Sequence, residues 1–423
     1  MTTTQKIAAR FFLQTVILLL LYGVAALISA LKFLSPDDSL FTVLPYQQAS
    51  GLANILLNLA ALTGLVGGGV YVAGQHRAAE NFTLRLVSWV WTVLLILSVL
   101  AGIFGMGEGR NLLELPVALD ILTVAALIVI LLPLLPAALR VPTLQIWCVG
   151  LVASIVAILI GLITPGDFGQ ERVLRGLAVG INIYLAYPLM AIALGYWLMH
   201  RFSNLTPAWL DRDIYVAGGL VLLAGGLVIL STLFPVPEWI GGIGGLALGL
   251  APILYAMIAA RCYPALTRRN PTHTLGAHWF TFSLLLYLLT FGLLAALGAA
   301  SAVREYTLGT RLSDLQTTMV LLAAVMMGLG VINQASAEIR GQNWRITGLT
   351  PFWLVVLGVL VGGLALGAAG VVQVYLERIL SIGYLDTQTL LVPLYTGWTM
   401  GLLVLLLGFI VYALGFWARR PGR

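Results

Sequence analysis

The feature that most constrains this chain is a succession of apolar runs, each about 20 residues long and almost free of charge. Short charged or proline- and glycine-containing breaks separate them. A run of that length crosses the roughly 30 Å hydrocarbon layer of a bilayer as one helix. In lipid every backbone N–H and C=O needs a partner within the protein, so only helices or closed barrels can span. The runs fall at approximately 11–33, 51–74, 86–106, 115–138, 144–164, 174–199, 214–235, 239–261, 275–301, 314–338, 351–376 and 394–417. They predict an all-α fold, a polytopic membrane bundle of about 12 transmembrane helices forming a single domain over 1–423. The longest connection, about 17 residues, leaves no room for a soluble domain. The seventh and eighth spans are separated only by the turn Pro235-Val236-Pro237-Glu238.

Composition agrees. Hydrophobic residues make up 60% of the chain and charged residues 9%, against about 25% charged in ordinary soluble domains. So few charges cannot cover the core of a water-soluble fold of this size. The net charge of +6 comes from single residues in the breaks, and no basic run of the kind that tracks phosphates occurs, so nucleic acid is not an expected partner. Two cysteines, Cys148 and Cys262, exclude a disulfide framework and a four-cysteine metal site. Both are read as packing residues. Lys6 and Arg10 precede an apolar run long enough to span, so the N-terminal segment reads as a first transmembrane helix and not as a cleaved signal.

Basic residues concentrate on the cytoplasmic side of short-looped membrane proteins. With the N-terminus cytoplasmic, 15 of the 22 basic residues fall on that side. The expected arrangement is therefore a multi-pass protein of a prokaryotic cytoplasmic (inner) membrane with both termini cytoplasmic. Glycine-rich stretches, such as Gly241-Gly242-Ile243-Gly244-Gly245 and Gly362-Gly363 with Gly367 and Gly370, suit close helix–helix approach where lipid gives no hydrophobic drive for association. The two halves show no convincing repeat, which weakens an inverted-repeat transporter reading.

A few polar residues stand out within the spans. Asp120 is the only acidic residue placed inside one, and an intramembrane carboxylate suggests proton or cation handling. Its closeness to Glu114 and the interface suits a capped or water-reached residue equally well. Asn54 and Asn58, four residues apart, share one face of the second helix. They suit interhelical hydrogen bonding or a quinone carbonyl. Asn182, Tyr184, Tyr187 and Pro188 give the sixth span a polar, broken character that predicts a local kink. Asn333, Gln334 and Ser336 read as interfacial residues at the inner end of the tenth span.

Four collinear segments resemble the catalytic subunit of haem–copper oxidases, closest to the C-type oxidase and nitric oxide reductase branch. They are Leu44-Pro45-Tyr46 leading to Tyr71-Val72, then Pro237-Glu238-Trp239 before a glycine-rich span. Next come His278-Trp279-Phe280-Thr281-Phe282 with Ser313-Asp314, and last Pro351-Phe352-Trp353 running on to Ala369-Gly370-Val371-Val372-Gln373. The resemblance covers about residues 40 to 376 and implies the same twelve-helix fold.

In that family six histidines hold the cofactors, because a neutral, directional imidazole stays bound through redox change. One in the second and one in the tenth span clamp a low-spin haem, a further one in the tenth holds the active-site haem, and one in the sixth with a pair in the seventh holds copper or iron. In this sequence the second-span position falls near Leu52, the sixth-span position near Gly176 and the seventh-span pair near Ile229 and Leu230. No histidine follows His278. The four histidines present, His76, His200, His273 and His278, map to the cytoplasmic helix ends or loops, away from the outer half where the family holds its haems. Met319 reads as packing, and Arg304, Arg311 and Asp314 as an ion pair or partner contact. No haem, copper or other cofactor is expected, and no catalytic activity of its own.

The resemblance thus implies a non-catalytic oxidase-like scaffold subunit of a respiratory or other electron-transfer complex. Its expected partners are other membrane subunits, a catalytic oxidase-like subunit or cytochrome subunits, and lipids. The alternatives are a twelve-helix transporter or channel, or a quinone- or haem-binding oxidoreductase subunit with non-standard ligands.

Overall fold

The structure is a computed structural model that describes residues 3–35, 44–76, 82–106, 115–163, 167–203, 208–234, 236–267, 271–295, 301–307, 309–340 and 348–417. Among these residues it contains helices and no strand, and 12 helices or helix runs are long and apolar enough to cross a membrane. Glu114, Pro235 and the side chains of Cys262 and His273 lie outside what is described.

In chain order the helices are α1 (Thr3–Leu34), α2 (Tyr46–Gln75), α3 (Phe82–Ile103), α4 (Val117–Ala138) and α5 (Pro142–Gly161). The sixth span is α6 (Phe168–Ile181) and α7 (Tyr187–Ser203), joined by a π segment, Asn182–Ala186. Then follow α8 (Ala208–Leu233), α9 (Glu238–Thr267), α10 (Pro271–Tyr287) with a π extension Leu288–Ala295, and the short α11 (Ser301–Thr307). The chain ends with α12 (Arg311–Arg340), α13 (Thr350–Val374), the short α14 (Tyr384–Leu390) and α15 (Val392–Trp417). Several helices outrun their apolar cores: α1 begins at Thr3, ahead of the expected 11, and α12 extends three residues before the expected 314. The long connection after α13 is itself ordered by a π turn, Tyr375–Ile379, and by α14.

An even number of spans brings Thr3 and Trp417 to one face of the bundle, here the terminal face; the opposite one is the far face. Helices α2 and α12 and the sixth span are the most enclosed, whereas α3, α4, α8 and α9 turn large apolar side chains such as Trp89, Val93, Leu132, Leu223 and Leu246 outward, towards lipid. Helix packing here depends on glycine at specific crossings. The tightest is α13 against α15: a Cβ on Gly358 would come within 2.5 Å of the Leu405 backbone nitrogen, and one on Gly401 within 2.5 Å of the Gly362 Cα. In the centre, Gly69 of α2 lets the indole of Trp147 lie flat on the helix backbone, where its Nε1 donates to the Leu65 carbonyl at 3.0 Å.

The break expected in the sixth span takes the form of the π segment. Pro188 has no N–H to offer the carbonyl one turn back, at Tyr184, so the ladder shifts there. Neighbours close on it: a Cβ at Gly225 of α8 would lie 2.7 Å from the Tyr184 carbonyl oxygen, and one at Gly150 of α5 would lie 2.9 Å from that of Ala186.

Candidate functional site

The positions matched to the family's metal ligands do not converge. Gly180 and Ile229 meet at the α6–α8 contact, where a Cβ on the glycine would touch Ile229 Cγ1 at 3.2 Å. Gly176, one turn earlier, is exposed beside Leu233, and Leu230 is 45% exposed and points outward. Leu52 is buried, but it faces α3, where its Cδ1 would lie 2.7 Å from a Cβ on Gly102. The residues of α2 that face the interior between the second and tenth spans are instead Ser50, Ala53, Asn54 and Leu57, one helical stripe.

That stripe is one wall of the largest cavity among the described residues, about 310 Å³. The other walls come from α1 (Tyr22, Ser29), α12 (Arg311, Asp314, Thr317, Thr318, Met319), α13 (Gly358, Gly362, Gly363) and α15 (Trp398, Leu402, Leu405). Arg311 and Asp314 sit at its far-face mouth and pair at 3.0 Å. The Arg311 guanidinium also lies over the rings of Phe33 and Tyr395, at 5.2 and 5.5 Å. From Arg311 to Leu322 the α12 wall descends about 16 Å at the rise of an α-helix. The mouth is polar and the floor aliphatic.

Asn54 and Asn58 share a face as expected but do different work. Asn54 lines the cavity. Asn58, one turn deeper, accepts a hydrogen bond from the Tyr187 hydroxyl, tying α2 to the turn after the π segment. Tyr184 accepts from Gln316 Nε2 of α12 at 3.4 Å, and its ring packs on Phe291. Asn182 is 2% exposed, and its Oδ1 has no hydrogen-bond partner among the described residues. The polar residues of the sixth span are thus braces between helices, with one carbonyl oxygen left over.

Asp120 lies in the first turn of α4 at 4% exposure, so it is an interior carboxylate and not one reached by bulk water. At that position the helix N-terminus favours its negative charge.

The terminal face holds a cluster that hydropathy does not signal. Glu338 of α12 accepts from the Tyr71 hydroxyl at 2.7 Å, from Gln75 Nε2 at 2.9 Å and from Gln334 Nε2 at 2.9 Å, and pairs with Arg201 at 3.4 Å. Gln75 in turn accepts from Trp197 Nε1 at 3.1 Å. One carboxylate therefore joins α2, α7 and α12. Partial burial and the nearby Arg201 charge hold His76, which caps α2, below the usual histidine pKa. This corrects two expectations. Asp120 is not the only acid within a span, and Asn333, Gln334 and Ser336 are not interfacial: they are 3%, 2% and 5% exposed. The available signal was the i, i+4 spacing of Gln334 and Glu338.

His200 pairs with Asp211 at 3.5 Å, and His278 packs edge-on to Phe352 well inside α10. Among the described residues no histidine lines the cavity, and no group of three or more His, Cys, Asp or Glu side chains is placed to hold a metal ion. The donor set at the cavity wall, hydroxyls and a carboxamide with the thioether of Met319, does not supply the imidazole pair that clamps a low-spin haem. Arg304 donates to the Ser231 carbonyl at 3.4 Å, and Cys148 is buried in the core.

No family model matches the chain. Across 99% of its length it is 22% identical to a nitric oxide reductase subunit of Stutzerimonas stutzeri, covering 95% of that protein. An alignment running end to end across twelve spans agrees with the collinear order of the four sequence segments and with the helix count. In sequence and in fold, this chain is a divergent member of the haem–copper oxidase superfamily, similar to its nitric oxide reductase branch.

Proposed function

We propose that this protein is a non-catalytic, oxidase-like subunit that serves as a membrane scaffold within a respiratory or other electron-transfer complex, binding neither haem nor copper. The observation that carries this reading is the make-up of the interior between the second and tenth spans. Hydroxyls, a carboxamide and glycines line it where the family needs imidazoles. The partners are other membrane subunits, a catalytic oxidase-like chain or cytochromes. The end-to-end similarity to an oxidase-like subunit weighs against a free-standing transporter.

The reduced-minus-oxidised absorption spectrum of the purified chain tests it. The expected result is no haem band and no stoichiometric copper or iron by elemental analysis; one haem per chain overturns the proposal. Affinity purification from native membranes is expected to bring down cytochrome or oxidase subunits.

The concentration of basic residues on the terminal face supports a cytoplasmic location for both termini in a prokaryotic inner membrane. A C-terminal green fluorescent protein fusion is expected to fluoresce, and a C-terminal alkaline phosphatase fusion to be inactive. An active phosphatase reverses the orientation.

A further inference from the structure

We infer that the cavity between α1, α2, α12, α13 and α15 binds a neutral, membrane-soluble amphiphile that carries hydroxyl or carbonyl groups at one end and an apolar body at the other. The inference goes beyond the scaffold reading and does not rest on it, since a ligand of this kind suits a solitary protein as well as a subunit.

The first argument is unmet hydrogen-bonding capacity. Tyr22, Ser29, Ser50, Asn54, Thr317 and Thr318 all line the cavity, and the side chain of none makes a hydrogen bond among the described residues. Other hydroxyls in the spans, such as Thr15, Thr123 and Thr399, instead satisfy themselves on the carbonyl one turn back. Tyr22 and Ser29 are 5% and 4% exposed, so bulk water does not serve them. Polar groups in a protein interior are almost always paired, because leaving them unpaired is costly. Six such side chains opening on one space indicate a visitor with polar atoms of its own.

The second argument is charge. The only charged side chains on the wall among the described residues, Arg311 and Asp314, neutralise each other at the mouth, and two aromatic rings further occupy the guanidinium. An anionic or cationic head would disturb that pair, whereas hydroxyl and carbonyl groups would not. The third is shape. A volume of about 310 Å³ sits at the lower end of the range for small-molecule sites, roughly 300–1,000 Å³. Its polar groups gather towards the mouth, with Leu321, Leu322, Leu402 and Leu405 deeper. The wall that lacks imidazoles for haem thus matches a different class of ligand. A quinol ring and a glyceride headgroup share this chemistry.

Native mass spectrometry of the full chain in detergent tests the inference, with decyl-benzoquinol and 1-monoolein as separate neutral probes and oleate as the anionic one. The expected result is one saturable adduct per chain with at least one neutral probe, and none with oleate. The probe that binds identifies the source as a ring or a glyceride. Asn54→Leu combined with Thr318→Val keeps volume while removing polarity, and is expected to weaken that adduct at least tenfold. Ala53→Phe, which fills the space, is expected to abolish it. Circular dichroism establishes that each variant is folded. No saturable neutral adduct on the wild type, equal binding of oleate, an adduct unchanged in both folded variants, or haem bound at one per chain each overturns the inference.

Discussion

A Glu338→Leu protein is expected to unfold at a markedly lower temperature than the wild type, at a cost of about 3 kcal/mol or more. The substitution keeps side-chain bulk but removes the acceptor shared by Tyr71, Gln75, Gln334 and Arg201. Two of these donors are enclosed, Tyr71 at 1% and Gln334 at 2% exposure, and each buried donor left without a partner costs about 1–3 kcal/mol. The ion pair itself is a minor part. Arg201 is 44% exposed, so its contribution is screened and worth about 1 kcal/mol at most. The prediction therefore has an internal control: Arg201→Gln is expected to shift the unfolding midpoint only slightly, and Glu338→Gln to fall between the two. Equal effects of Arg201→Gln and Glu338→Leu would mean that the ion pair, and not the buried hydrogen bonds, holds the three helices together. Thermal unfolding in detergent followed by circular dichroism reads all three.

Gly401→Val is expected to leave little or no folded protein in detergent. Its Cβ would come within 2.5 Å of the Gly362 Cα and 2.9 Å of the Gly358 carbonyl oxygen. These are backbone atoms, so relief requires α13 to move bodily away from α15. Overpacking in a core costs typically about 1–3 kcal/mol when side chains can adjust, and here no side chain is available to yield. In lipid, close backbone approach is itself the source of helix association. Gly226→Val on α8 is the matched control, because a Cβ there meets nothing within 4 Å. Size-exclusion profiles separate the outcomes: a monodisperse Gly401→Val protein would show that the α13–α15 crossing is not limiting.

Helix count, span order and the need for glycine at helix crossings were legible because each is a local property. Whether a run of 20 residues is apolar does not depend on its neighbours, and the transfer penalty that makes it span acts on that run alone. The shared face of Asn54 and Asn58 was legible for the same reason, being set by helical period. What that face meets was not. Asn54 opens on a cavity and Asn58 on Tyr187, a residue 129 positions away, and nothing along α2 distinguishes them. Leu52 illustrates a related limit. Counting along the chain from Tyr71 reaches the right helix and depth but the wrong side, because two residues of helix turn a side chain through about half a revolution.

The same reasoning separates the two halves of the candidate site. By itself the sequence determined that this chain is a twelve-span membrane bundle with oxidase-like order and without histidines after His278, since hydropathy, spacing and residue identity need no partner to be read. Only the tertiary structure decided that Asp120, Gln334 and Asn333 are interior, that Glu338 gathers donors from helices up to 267 residues away, and that six unpaired polar side chains face one cavity. The physical reason is that burial and hydrogen-bond satisfaction are properties of pairs. A hydroxyl or carboxylate carries no mark of whether it will meet lipid, a neighbouring helix or an enclosed space until the helices have packed.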